Sequence, residues 1–321
     1  MTSPRSRRSG PASGARTPSS RSSRASHYVR ERAALEGSEL TRVKRSLAER
    51  GLSPRRRFGQ HFLIRDDLAE RIVDHCHLRD DDVVVEIGPG AGALTAHLAW
   101  RVRHLIAVEK DVGLAAMLRE DLAELPKVEI VEADFLEFDL AATVARYGVP
   151  QLVVVGNIPY NITTPVLERI FEQRAVVRTA VLLVQHEYAQ RLSAAAGTPE
   201  YGSLTLFARF HALMEPLMTL RASAFWPRPE VDSMLVRFFL RDRPPVEVAD
   251  QALLFRIIRG SFQMRRKQLM NTLEESLGVG KDVVARVCRI AGVDPRRRGE
   301  TLTLDEFAKL ARAVERGAGS E

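Results

Sequence analysis

Five short apolar runs set the rhythm of this chain: DVVVEIG from Asp82, HLIAVEK from His104, VEIVEAD from Val128, QLVVVGN from Gln151 and TAVLLVQ from Thr179. Between them lie longer stretches in which apolar residues recur at helical spacing. A strand covered on both faces reads as a continuous apolar run rather than an alternating one, so the pattern predicts a mostly parallel sheet with helices on both sides. After Leu240 the runs stop. RPPVEV reads as a linker, and then Leu254, Ile258 and Phe262, followed by Leu269, Leu273 and Leu277, repeat four apart as one face of helices. A short helical segment after Lys281 and another over 304–314 complete the pattern. The fold class expected is α/β, a doubly wound Rossmann-like sheet over 51–240, with a small α-helical C-terminal domain over 241–321.

The first 50 residues break the rhythm. Residues 1–30 contain no Asp or Glu and no Leu, Ile or Phe, and carry seven arginines among Ser, Pro, Gly and Ala. Such a segment buries too little apolar surface to offset its ordering entropy, so 1–50 is expected to be a disordered basic extension, with a polar helix over 28–51 as the one element it can form. It is Arg-rich and acid-free like an organelle transit peptide, but lacks the leucines that give such peptides an apolar face.

Over all 321 residues, Lys and Arg number 48 against 41 for Asp and Glu, a formal charge of +7. That surplus favours a polyanionic partner. Cys76 and Cys288 stand far apart with no second cysteine at ligand spacing, which speaks against a zinc site or a disulfide framework and for a reducing compartment. No apolar run reaches the ~20 residues of a membrane-spanning helix. A cytoplasmic, non-membrane protein is expected.

Chemistry gathers at the ends of the apolar runs. VVVEIGPGAGALTAHLA is a strand, a glycine turn with Gly88, Gly90 and Gly92, and an amphipathic helix; glycines let the backbone approach a ligand closely. Glu109, about 20 residues beyond the turn at the next strand end, suits a ribose, and this pairing serves a nicotinamide dinucleotide as well as S-adenosylmethionine. Asp134 ends the third run, placed to accept from an adenine amino group. The fourth run leads into GNIPYN. An oxidoreductase needs a base or an arginine against its substrate there, and GNIPYN offers neither. An exocyclic amine instead needs acceptors, which the Asn157 side-chain oxygen and the Ile158 carbonyl supply. Pro159 fixes the turn without adding a donor, and Tyr160 offers a ring on which a base can stack. Such a site works by positioning an amine against a sulfonium methyl.

With these residues the chain resembles the rRNA adenine N6,N6-dimethyltransferase family, from about Arg55 to Val314. RRFGQHFL resembles the family's opening motif, EIGPGAGALT its cofactor loop and GNIPYNITTP its catalytic motif; EYGSLTLFARFHA and AFWPRPEVDSMLVRF match later stretches. SFQMRRKQLMNTL and DPRRRGETLTLDEFAKLA match the helical domain of the small-subunit branch. The resemblance implies S-adenosylmethionine as methyl donor and no metal. It places His61 and Leu63 against the cofactor, Gly88 and Gly90 in its loop, Glu109 on its ribose, Asp134 on its adenine, and Asn157 on both cofactor and target. His61 stands where many members carry Asn. Phe225 resembles a second stacking aromatic opposite Tyr160, with core packing as the alternative for that ring. Arg265, Arg266 and Lys267, with Arg256, Arg259 and Arg296 to Arg298, make a candidate phosphate-contact surface, against the alternative of a solvated helix face. The implied partner is small-subunit rRNA in a pre-ribosomal particle, bound by a monomer, and the implied target is a pair of adjacent adenosines in a hairpin loop near the 3′ end. The large-subunit dimethyltransferases of macrolide resistance share the catalytic motif and are the nearest alternative. An rRNA-binding assembly or transcription factor on the same fold is another.

Overall fold

A computed structural model describes residues 38–264 and 266–318. Its strands are β1 (Phe62–Leu63), β2 (Val83–Ile87), β3 (His104–Glu109), β4 (Val128–Glu132), β5 (Leu152–Asn157), β6 (Val177–Gln185), β7 (Ala212–Leu220), β8 (Phe225–Trp226) and β9 (Ser233–Leu240). The five apolar runs form β2 to β6 and pair in parallel, with Val84 opposite Val153 and Val85 opposite Ile106. The full order is β4-β3-β2-β5-β6-β9-β7, and β9 runs antiparallel to both of its neighbours.

β7 and β9 were not among the runs that the apolar pattern marks, for a physical reason. β7 is an edge strand with Pro216 at a register shift and several exposed positions, and β9 carries Arg237 within its apolar stretch. The guanidinium is accommodated by Glu215 at 2.9 Å on β7 and by the His75 carbonyl. Edge position and an internal charge both weaken the signal of a buried strand.

Both faces of the sheet are covered. Val83, Val85, Ile87, Val108, Val154 and Leu182 face a core with Ile170 and Phe171. Val84, Leu105, Val153, Val155 and Leu183 face another with Ile72, Leu98 and Leu118. This alternation along each strand is why the runs are apolar throughout.

The C-terminal helices are Gln251–Gln263, Leu269–Leu277, Lys281–Ala291 and Leu304–Ala318. Leu254, Ile258, Leu269 and Leu273 are buried in a third core that also takes Tyr201, Leu206 and Phe210 from the sheet domain, and the Tyr201 hydroxyl donates to the Leu302 carbonyl at 2.7 Å. At this seam His211 sits against Phe171, Phe207, Phe210 and Phe255. Burial among those rings pushes its pKa down to about 4.

One boundary is corrected. Residues 39–50, assigned from composition to the disordered extension, belong to the folded domain: Glu39–Glu49 is a helix capped by Ser38, whose hydroxyl accepts from the Thr41 amide. Leu47, 2% exposed, packs with Phe62, Leu114 and Met117, and Arg50 pairs with Glu120 and Asp121 at 3.3 and 2.7 Å. Its sparse apolar stripe, Val43 and Leu47, is enough to anchor one face. The expected disorder over 1–30 lies outside the described residues. No described helix is long and apolar enough to cross a membrane.

Candidate active site

Parallel pairing brings the C-terminal ends of β2, β3, β4 and β5 to one edge, and the pocket there is lined by the residues that follow each strand. Gly88 and Gly90 after β2 have φ of +60° and +59°. A side chain at Gly90 would stand 3.0 Å from the Phe62 ring, whereas one at Gly88 would project into open space. The loop is stapled to β3 by Glu109, whose Oε2 accepts from the Gly90 amide at 3.1 Å and whose Oε1 accepts from the Asp111 amide at 2.8 Å. Glu109 is 5% exposed, and burial pushes its carboxyl above the usual range against the pull of those two bonds. Each oxygen retains acceptor capacity for a hydroxyl.

Beyond β4, Asp134 accepts from Lys110 Nζ at 2.6 Å and from the Leu136 amide at 3.0 Å. Partial burial opposes ionisation, but the lysine and the amide hold the carboxyl below its ordinary value. Asn157 closes β5. Its Nδ2 donates to the His61 carbonyl at 3.0 Å, which fixes the amide and leaves Oδ1 with no partner among the described residues. The Ile158 amide donates to Leu183 O at 3.0 Å, and the Ile158 carbonyl has no partner among the described residues. Pro159 leads into a single 3-10 turn, Tyr160–Ile162. The Tyr160 ring stacks on His61 with centroids 5.8 Å apart and planes at 26°. The His61 ring is held by Nδ1, which donates to Pro227 O at 2.6 Å.

His61 lines the pocket, and it also does what the sequence did not disclose: its carbonyl orients Asn157 while its ring backs Tyr160. Leu63 lines the pocket from β1. Phe225 requires a correction. It pairs with Leu63 across β1 and β8, is 3% exposed, and packs with Ala224 and Leu235 in the second core, so it does not stand as a free face opposite Tyr160. The neighbouring Trp226 is the half-buried ring, tilted against Phe62 with Lys44 over it at 5.3 Å.

Glu86 was missed. It sits inside the apolar run VVVEIG, lines the pocket and is 1% exposed, and burial raises its pKa to about 8. Its Oε2 has no partner among the described residues. An acid within a buried strand is itself the signal, since an isolated buried carboxylate is costly without a partner.

The basic residues of the helical domain lie apart from this pocket. Arg266 and Lys267 are exposed in the turn before the helix Leu269–Leu277, as are Arg256 and Arg259 on the preceding helix; Arg265 lies outside the described residues. Arg296 pairs with Asp294 at 3.0 Å, and Arg297 is taken up by Glu306. Among the described residues no group of three or more His, Cys, Asp and Glu side chains is placed to hold a metal ion.

A doubly wound sheet with an antiparallel strand inserted before its last edge, a glycine loop after the first long strand and a carboxylate at the next strand end define an S-adenosylmethionine-dependent methyltransferase. Residues 51–313 match the model of the family described as ribosomal RNA adenine dimethylase, and the chain belongs to that family. Ribosomal RNA small subunit methyltransferase A of Geobacter metallireducens is 41% identical over 265 residues, 82% of this chain and 96% of the relative. Its namesake in Geobacillus sp. is 38% identical over 279 residues, 85% and 96% of the two chains. Among solved structures, the 23S rRNA methyltransferase ErmE matches with a TM-score of 0.59 and 28% identity over 79% of this chain and 99% of that one. A dimethyladenosine transferase from Plasmodium falciparum matches in fold with a TM-score of 0.67 and 21% identity over 80% and 98%.

Proposed function

We propose that this protein transfers methyl groups from S-adenosylmethionine to the N6 amines of two adjacent adenosines in the 3′-terminal hairpin loop of small-subunit rRNA, dimethylating each during small-subunit biogenesis. It acts in the cytoplasm as a monomer on a pre-ribosomal particle. The observation that carries this reading is the locked Asn157 amide: with Nδ2 committed to His61, Oδ1 and the Ile158 carbonyl, both without a partner among the described residues, are two acceptors at one strand end, as the two hydrogens of an exocyclic amine require. The small-subunit target is favoured over the large-subunit one by the higher identity to the small-subunit relatives, 41% and 38% against 28%.

The pocket suits the methyl donor. Gly88 leaves open space where a side chain would stand, Glu109 keeps acceptor capacity for ribose hydroxyls, and Asp134 presents a carboxylate for the adenine amine. When bound, S-adenosylmethionine supplies an electrophilic methyl on a sulfonium. His61, Leu63, Gly90 and Asn157 complete the wall around it. The protein's own part is to orient the target amine with Asn157 and Ile158, to stack its base on Tyr160 and to exclude water. The base must leave its stack to enter, which costs a few kcal/mol and less in a loop than in a helix.

Glu109→Ala is expected to weaken S-adenosylmethionine binding by about 1 to 3 kcal/mol, the scale of charge-assisted hydrogen bonds, measured by calorimetry. Unchanged affinity would remove Glu109 from the cofactor site. Replacing Arg265, Arg266 and Lys267 with Ala should weaken binding to small-subunit particles and flatten its salt dependence by up to about 0.9 log units per lost phosphate contact on a duplex. S-adenosylmethionine affinity should not move, because the described members of this cluster lie outside the pocket. An unchanged salt slope would make these residues a solvated face.

The function is tested by primer extension on small-subunit rRNA from cells lacking the gene. Dimethyladenosine arrests the polymerase, so the arrest near the 3′ end should vanish and return when the gene is restored. An arrest that persists without the gene contradicts the proposal.

A further inference from the structure

Tyr160 is held from a direction outside its own motif. Its hydroxyl lies 2.8 Å from Ser233 Oγ, 73 residues away in the chain. Ser233 is fully buried and begins β9. Because β9 runs antiparallel to β6, its first residue stands opposite Gln185, at the same edge where β5 ends in Asn157. That corner is fixed on both sides. Ser233 pairs with Leu220 of β7 as well as with Gln185, the Asp232 carbonyl accepts from the His186 amide at 2.9 Å, and Asp232 Oδ1 accepts from the Ala222 amide at 2.8 Å.

Tyr160, by contrast, lies in one 3-10 turn after a proline. Its ring packs on His61, and a stacked pair permits sliding and tilting, since ring contacts are broad in geometry. A hydrogen bond at the far end of the ring removes that freedom, because the hydroxyl can stay within reach of a fixed oxygen only over a narrow range of χ1 and χ2. A base stacked on the ring is only as well placed as the ring, and a small misplacement of the reacting amine costs rate steeply.

We infer that Ser233 is a positioning residue for methyl transfer: its hydrogen bond to the Tyr160 hydroxyl fixes the plane on which the target adenine stacks. This rests on the proposed role of Tyr160. Serine suits the task because its hydroxyl serves as donor or acceptor at a fully buried position.

The test uses Ser233→Ala, Tyr160→Phe, the double variant and Tyr160→Ala in single-turnover assays on saturating unmethylated small-subunit particles with S-adenosylmethionine. Tyr160→Phe removes the same hydrogen bond without touching the buried strand, so it decides the matter should Ser233→Ala fold poorly; thermal midpoint and S-adenosylmethionine affinity report on folding. Each single variant should slow transfer about 3- to 10-fold, the scale of one net hydrogen bond. The double variant should be no slower than the slower single one, since both remove one bond, and particle binding should stay near wild type. A wild-type rate in Tyr160→Phe, a wild-type rate in a folded Ser233→Ala, or losses that multiply in the double variant would overturn the inference. If Tyr160→Ala is itself as fast as wild type, the stacking role fails as well. If Tyr160→Ala is severely slowed while the two hydrogen-bond variants are not, Ser233 alone loses its role.

Discussion

Asn157→Ala is expected to lower the single-turnover rate of methyl transfer by at least ~100-fold, the scale of losing one oriented polar group in a water-poor site. The size of the effect follows from how the amide is held. Nδ2 donates to the His61 carbonyl at 3.0 Å, so the side chain cannot flip to offer its nitrogen to the target without leaving a backbone acceptor unpaired. The oxygen is therefore aimed before any substrate arrives, and alanine removes both the acceptor and its orientation. Particle binding should be nearly unchanged, because one amide is a small part of an interface dominated by phosphate and sugar contacts. Rates on saturated particles measure this directly, and a rate near that of wild type would reduce Asn157 to a strand-end cap.

Tyr160→Ala should differ in kind. It removes a stacking face worth about 1 to 3 kcal/mol per base, roughly a 5- to 150-fold effect, and it also removes the packing partner of the His61 ring. Because the carbonyl of His61 orients Asn157, the loss spreads from capture of the extruded base to the placement of its amine. The variant should show both a weaker apparent affinity for the particle in single-turnover titrations and a lower rate at saturation. An effect on only one of the two would separate stacking from orientation and contradict the shared support through His61. Burial raises the pKa of the Tyr160 phenol, with the Ser233 hydrogen bond opposing, so the ring works in its neutral form and its own ionisation gives these effects no pH dependence between pH 6 and about 8.

The parallel strands and the residues at their ends were legible because the physics that builds them is local. A run such as VVVEIG followed by glycines encodes a buried strand and a tight turn in adjacent positions, and parallel pairing then brings Gly88, Glu109, Asp134 and Asn157 to one edge. The contacts that tune the site were not legible, because they join segments far apart in the chain. The bond from Asn157 to His61 spans 96 residues and that from Tyr160 to Ser233 spans 73. Phe225 shows the opposite failure. The resemblance places its ring opposite Tyr160, but pairing with Leu63 turns it into the core, the alternative the sequence left open, through a two-residue strand too short to announce itself. The helix Glu39–Glu49 falls within the polar helix expected over 28–51, but its docking onto the folded domain was not legible for want of apolar residues, since one buried leucine and an arginine paired with two acids hold it.

The most direct measurement is made with purified protein. Wild-type enzyme is incubated with S-adenosylmethionine and either small or large ribosomal subunits from cells lacking the modification, and the rRNA is digested and analysed by mass spectrometry. N6,N6-dimethyladenosine should appear at two adjacent positions in the 3′-terminal hairpin of the small-subunit rRNA, and none should appear with large subunits. Dimethyladenosine formed in large-subunit rRNA, or no methyl transfer to the small subunit by a protein that binds it, would contradict the proposed function.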